Sequence, residues 1–180
     1  MTTIPHTASS PTSSEIGARV LALLTGLHDP EDLAPAAIER VTGVAVKRDS
    51  DNAERYGFGL PLEPGWMCHL SAVPNRLKAT PKQLVISYDP DGADDSKFPA
   101  AAPVFDEFAE TLVQAGYRRA PLYGPRNALW GQVFSRGDVE VRVNIEREDP
   151  LADAARLRVT RISVDTAVGT NTFVGGERHG

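Results

Sequence analysis

The stretch that decides the fold runs Ala128-Leu-Trp-Gly-Gln-Val-Phe-Ser-Arg-Gly-Asp-Val-Glu-Val-Arg-Val-Asn-Ile-Glu146. Val139, Val141, Val143 and Ile145 alternate with Glu140, Arg142, Asn144 and Glu146. Successive strand side chains point to opposite faces, so this alternation predicts a strand with one dry and one wet face. Leu129 to Ser135 predicts its partner strand. Arg136-Gly137-Asp138 is the turn between them, where Gly137 can take a positive φ at little cost. A hairpin with one apolar face needs more strands or a helix to cover it.

Working outward toward the N-terminus, Pro103 opens the strongest helical pattern. Val104, Phe105, Phe108, Leu112 and Ala115 form an apolar stripe, and Gly116 is the stop. Asp106 and Glu107 fall in its first turn, where the helix dipole favours acids. Tyr117 to Asn127, with Pro121, Gly124 and Pro125, reads as a loop. Further upstream, strands are expected around Val44 and Val46, over Arg55–Leu60, over Trp66–Val73 and over Leu84–Tyr88. Asp49 to Asn52 and Pro61 to Gly65 are turns, Pro74 to Lys82 is a polar excursion, and Asp89 to Ala102 is a loop. Two helices precede these strands. Ser14 is read as the N-cap of the first, which runs to about Thr25 with Ile16, Val20, Leu23, Leu24 and Leu27 inward, and Gly26 ends it. The second covers Pro35 to Thr42, with Leu33, Ile38 and Val41 buried and Gly43 as its stop. After the hairpin, Glu148 to Ala155 is a connector and Leu157 to Asp165 a last strand. Its apolar phase changes between Val159 and Ile162, which predicts either a bulge near Thr160 or burial on both faces.

The sum is an α+β chain. It has a mainly antiparallel sheet of about six to seven strands, with two N-terminal helices and one central helix on one face. Residues 14–165 are expected to form one domain between a Ser/Thr/Pro-rich tail (1–13) and a Gly-rich tail (166–180).

Composition excludes more than it identifies. The chain has 180 residues, 41% hydrophobic and 24% charged, with a net charge of −5. That balance disfavours a phosphate backbone as principal partner. The single cysteine, Cys68, rules out an internal disulfide. No apolar run is long enough to cross a bilayer. Met1 to Ser14 lacks the basic start and apolar centre of a secretory signal, so the cytoplasm is the expected compartment.

Catalytic and metal motifs fare poorly. Cys68 and His69 are adjacent in a strand and so point apart, which forbids a dyad. His6, His28, His69 and His179 have no partners at ligand spacing, so no metal or cofactor is called for. Asp89-Pro-Asp-Gly-Ala-Asp-Asp95 places its glycine fourth instead of sixth, which is a turn and not a calcium loop. Gly57-Phe-Gly59 lacks the third glycine and the following helix of a dinucleotide loop. Arg136-Gly-Asp138 is explained as a turn.

Charge is unevenly placed. From residue 89 to 110 the acids Asp89, Asp91, Asp94, Asp95, Asp106, Glu107 and Glu110 face one base, Lys97, a net of −6 in a chain of −5. Such a segment either solvates the protein or steers a basic partner onto it. The expectation taken forward is that these seven acids bind a partner protein with a basic surface.

The layout resembles small immunity proteins of bacterial toxin–immunity pairs. The resembling residues are Pro35-Ala-Ala-Ile-Glu-Arg-Val-Thr-Gly43 before the strands, Gly65-Trp66 opening a strand, Ala115-Gly-Tyr117 closing the central helix, and the Trp130 hairpin. They span Ile16 to Asp165. The resemblance implies a non-enzymatic protein that binds and neutralises one cognate toxin domain, and no family site residue is carried over with it. Two alternatives remain open. One is an enzyme of another kind, with a pocket lined by Tyr88, Tyr123 or Trp130 and a carboxylate. The other is a chaperone or adaptor for a secretion system.

Overall fold

The computed structural model describes residues 11–62, 65–74, 82–91, 102–148 and 156–166. They form three α-helices, α1 (Ser13–Thr25), α2 (Pro35–Thr42) and α3 (Phe105–Gln114), and eight strands. The strands are β1 (Lys47–Arg48), β2 (Tyr56–Pro61), β3 (Trp66–Pro74), β4 (Lys82–Pro90), β5 (Arg118–Tyr123), β6 (Leu129–Arg136), β7 (Val139–Arg147) and β8 (Leu157–Asp165). All pair antiparallel in one open sheet of order β1-β2-β3-β4-β8-β7-β6-β5. Two meanders, β1–β4 and β5–β8, therefore meet along the β4–β8 seam, and α3 carries the chain from that seam to the far edge.

The alternation read in the opening hairpin is realised. Val139, Val141 and Val143 are buried, and β6 pairs β7 from Gly131↔Asn144 to Arg136↔Val139. Gly137 takes φ 55° in the turn. The same face continues through Cys68, Leu70, Leu84, Ile86, Ile162 and Val164, all at or near zero exposure, into one core with Ile16, Leu24, Ile38, Phe105, Phe108 and Leu112 of the helices. Burying a side chain of this size is worth about 1.5–3 kcal/mol, so the helices are held mainly by this face. The opposite face of the sheet has no helix on it among the described residues.

The change of phase in β8 is a bulge. Asn144 pairs Arg161 while Ile145 pairs Val159, so Thr160 is the extra residue. That one-residue slip keeps both Val159 and Ile162 in the core, which strict alternation would forbid.

Several expectations need correction. The sheet has eight strands instead of six or seven, because residues 118–123 are an edge strand where Pro121 argued for a loop. An edge tolerates proline, since one side of the strand has no partner to accept the missing N–H. The first strand is Lys47–Arg48, displaced from Val44 and Val46. Helix α1 is capped by Thr12, not Ser14. The Glu15 carboxylate accepts from the Thr12 backbone N–H at 2.7 Å and from its hydroxyl at 2.8 Å. Helix α3 starts at Phe105, because Val104 is taken into an isolated bridge with Arg158. Val41 is half-buried. Most of both tails, much of the Pro74–Lys82 and Asp89–Ala102 segments, and most of the 148–155 connector lie outside the described residues. Among the described residues no helix is long and apolar enough to cross a membrane.

Candidate functional site

The acidic set does not form one described surface. Asp89 follows Ser87 on the sheet face away from the helices, and the Ser87 hydroxyl donates to its carboxylate at 2.5 Å. Its neighbours in register alternate with the buried Ile86 and Tyr88. Asp106, Glu107 and Glu110 are exposed on α3 between the buried Phe105, Phe108, Ala109 and Leu112. They therefore occupy the outer surface of the helical layer, on the other side of the sheet from Asp89. Asp91 is exposed at the end of β4. Asp94 and Asp95 lie outside the described residues. The helical trio makes no ion pair among the described residues; Glu110 meets only the Gln114 amide, at 3.4 Å. Spacing along the helix was enough to group the trio. The sequence could not show that the sheet separates it from Asp89.

What the structure does bring together is a cleft at the β4–β8 seam. Five rungs join these strands, from Gln83↔Asp165 to Ser87↔Arg161. Beyond them the strands part. The Val159 N–H donates to the Pro103 carbonyl at 3.0 Å, and Val104 bridges Arg158, so the segment before α3 takes the place β4 would have filled. The fork leaves a cleft of about 690 Å³. Ser87, Tyr88, Asp89 and Pro90 line one side, and Asn144, Ile145, Glu146, Thr160 and Arg161 the other, with Trp66, Leu129 and Trp130 completing it. Two of the three aromatic residues named for a pocket, Tyr88 and Trp130, are thus in it, with the Asp89 and Glu146 carboxylates. Tyr123 is not among its lining residues.

Beside the cleft the β5–β6 hairpin ends in an exposed apolar cluster. Tyr123 is 59% exposed, Leu129 47% and Trp130 50%. The only other large hydrophobic this exposed among the described residues is Val113. Trp130 is held despite its exposure. A Cβ on Gly124 would come within 2.0 Å of its indole ring, so the indole lies flat on the glycine backbone. It is also the extra residue of a bulge, because Leu122 pairs Gly131 while Tyr123 pairs Leu129. The loop between the strands bends through two left-handed residues, Arg126 (φ 60°, ψ 28°) and Asn127 (φ 56°). The Gly124 N–H closes it on the Ala128 carbonyl at 2.8 Å. The sequence reading assigned Tyr117 to Asn127 to a loop and Leu129 to Ser135 to a strand, and did not place Tyr123, Leu129 and Trp130 together at one exposed tip. The available signal was three large apolar residues, Tyr123, Leu129 and Trp130, with no alternation to place them inside.

Cys68 and His69 diverge as their adjacency requires. Cys68 is fully buried and paired with Tyr88, whereas His69 is exposed and paired with Ser87. Burial pushes the Cys68 thiol up to about 12, with a smaller contribution from Asp89. The Tyr88 hydroxyl is also raised by burial, and among the described residues it has no hydrogen-bond partner. Among the described residues no three His, Cys, Asp or Glu side chains are placed to hold a metal ion. Arg136, in the turn that spells an adhesion tripeptide, points inward. Its guanidinium donates to the carbonyls of Ala115 (2.5 Å), Thr25 (3.0 Å) and Leu27 and stacks 4.4 Å from the Tyr117 ring centre.

Comparison with protein-family models, curated proteins and solved structures gives no match.

Proposed function

We propose that the protein is an inhibitor of the immunity type, which binds a cognate bacterial toxin domain and blocks it, with the contact centred on the β5–β6 tip. The observation that carries this reading is the exposed set of Tyr123, Leu129 and Trp130 on one hairpin, where Trp130 packs on Gly124. Tyrosine and tryptophan dominate the energetics of protein interfaces because they bury much area for little conformational entropy. An exposed cluster of this kind raises the risk of aggregation unless a partner covers it. The unpaired acids of α3, Asp106, Glu107 and Glu110, then act at longer range and speed association with a basic region of the partner.

The test is co-expression with the product of the adjacent reading frame, followed by affinity measurement. Trp130→Ala and Tyr123→Ala are each expected to weaken binding by tenfold or more, the effect of losing about 1.4 kcal/mol or more at a hot spot. Reversing Asp106, Glu107 and Glu110 to Lys slows association and leaves dissociation nearly unchanged. If both aromatic variants bind as the parent does, the tip is not the contact.

A second reading draws on the cleft. Its size, the half-exposed Trp130 beside it and its Asp89 and Glu146 carboxylates suit a small-molecule site. Turnover of a substrate that is lost in Asp89→Asn or Glu146→Gln, with partner binding intact, would favour an enzyme.

A further inference from the structure

Resting on the proposed role of the β5–β6 tip, we infer that the surface it meets on its partner is acidic, opposite in sign to what the acids of residues 89–110 call for. Between Tyr117 and Arg136 the chain has four arginines and no Asp or Glu. Arg136 is consumed internally by the helix-end carbonyls. Arg119 leans over the Phe105 ring at 5.9 Å and is engaged by the start of α3. Arg118 and Arg126 remain. Both are exposed, and neither guanidinium makes a hydrogen bond or ion pair among the described residues.

These two arginines lie on the same hairpin as the aromatic cluster, at the foot of β5 and at the apex of the loop. The left-handed backbone at Arg126 (φ 60°) is one that asparagine or glycine adopts with less strain. An exposed cation on the hairpin that carries Tyr123 and Trp130 is the arrangement by which a partner's carboxylates are met while apolar area is buried. The acid in line with Arg118 is Glu140, two strands away on the rung through Ser135, and its carboxylate is taken up by Arg142. Asp89 and Glu146 line the cleft. They face the gap in the sheet, whereas Arg118 and Arg126 lie on its free edge. A plainer role for Arg118 and Pro121 is to discourage strand-to-strand aggregation at that edge. That role predicts no affinity for an anionic chain, and it leaves Arg126 and the exposed aromatics unexplained.

The full chain can be titrated with an oligoglutamate peptide, an oligolysine peptide and a single-stranded oligothymidine, read by tryptophan fluorescence. Trp130 is half exposed and Trp66 is 9% exposed, so a ligand at the surface is felt first by Trp130. Oligoglutamate is expected to shift the emission at low ionic strength and to lose about tenfold in affinity near physiological salt, as exposed charge pairs are screened. The double variant Arg118→Glu/Arg126→Glu abolishes that response. Arg118→Gln/Arg126→Gln, which adds no repulsion, reduces it, and circular dichroism checks that both variants remain folded. Preference of the parent for oligolysine overturns the inference, as does a response to oligoglutamate that survives both double variants. Tighter binding of oligothymidine than of oligoglutamate overturns it in favour of a nucleic acid. With the adjacent gene product as ligand, binding lost in Trp130→Ala but kept in the arginine variants overturns only the assigned charge. Binding kept in all of them overturns the tip as the contact.

Discussion

Arg136 shows how far a residue's role can lie from its motif. In sequence it belongs to a surface turn, yet its guanidinium meets carbonyls at the ends of both α1 and α3. The last carbonyls of a helix lack intrahelical partners, and a cation at that end is favoured by the dipole. Arg136→Met keeps the stem and removes the donors, and is expected to cost about 2–3 kcal/mol in denaturant unfolding. Arg136→Lys recovers part of that loss, having charge but no fork. Cys68 supports a second prediction. Its folded pKa is raised from 9.0 to about 12, so its neutral form is the one the core holds. The stability this contributes is fully present below pH 9 and is lost as pH rises toward 12. The same direction holds for Tyr88. Unfolding free energy should therefore be flat to about pH 9 and then fall, less steeply in Cys68→Ala. In the native protein the thiol should react with an aromatic disulfide reagent only at the rate at which the core opens.

At the scale of elements, the β5–β6 hairpin was the hardest part to read and the most informative once seen. The β6–β7 hairpin was legible because Val139 to Ile145 alternates without interruption. The strand Arg118–Tyr123 was not, because an edge strand with no buried residue has no dry face to enforce a period. Its six residues are all exposed or half-buried. The bulge at Thr160 was legible from the three-residue step between Val159 and Ile162. The bulge at Trp130 was not, since Leu129 and Trp130 are both exposed and no burial pattern marks the slip. The candidate site suffers the same limit. The acids could be counted along the chain, but which side of the sheet each occupies depends on pairing. The tip allows stability and recognition to be separated. Replacing Arg126-Asn127 by Asn-Gly, the pair that left-handed hairpin turns favour, should raise unfolding free energy by about 1 kcal/mol. The same change should weaken partner binding by removing the apical cation. A gain in both quantities would show that Arg126 is not part of the contact.

For the molecule as a whole, the layer order was readable from periodicity, with α1, α2 and α3 supplying one apolar stripe each. The order of strands was not, because nothing in a sequence of consecutive antiparallel strands says that the last will return beside the fourth. That return has a kinetic consequence. The contacts within β1–β4 and within β5–β8 join residues close in the chain, whereas the seam joins Gln83 to Asp165 and Ile86 to Ile162. Closing so long a loop is entropically slow, so the two meanders are expected to form first and the seam to lock late. Ile86→Val and Ile162→Val, each costing about 0.5–1.5 kcal/mol, should then mainly accelerate unfolding and leave the folding rate almost unchanged. Val141→Ala, inside one meander, should slow folding instead. A seam that forms last is also the first to open. Native-state hydrogen exchange should therefore find the five rungs between β4 and β8 less protected than the nine between β3 and β4, although both lie at the centre of the sheet.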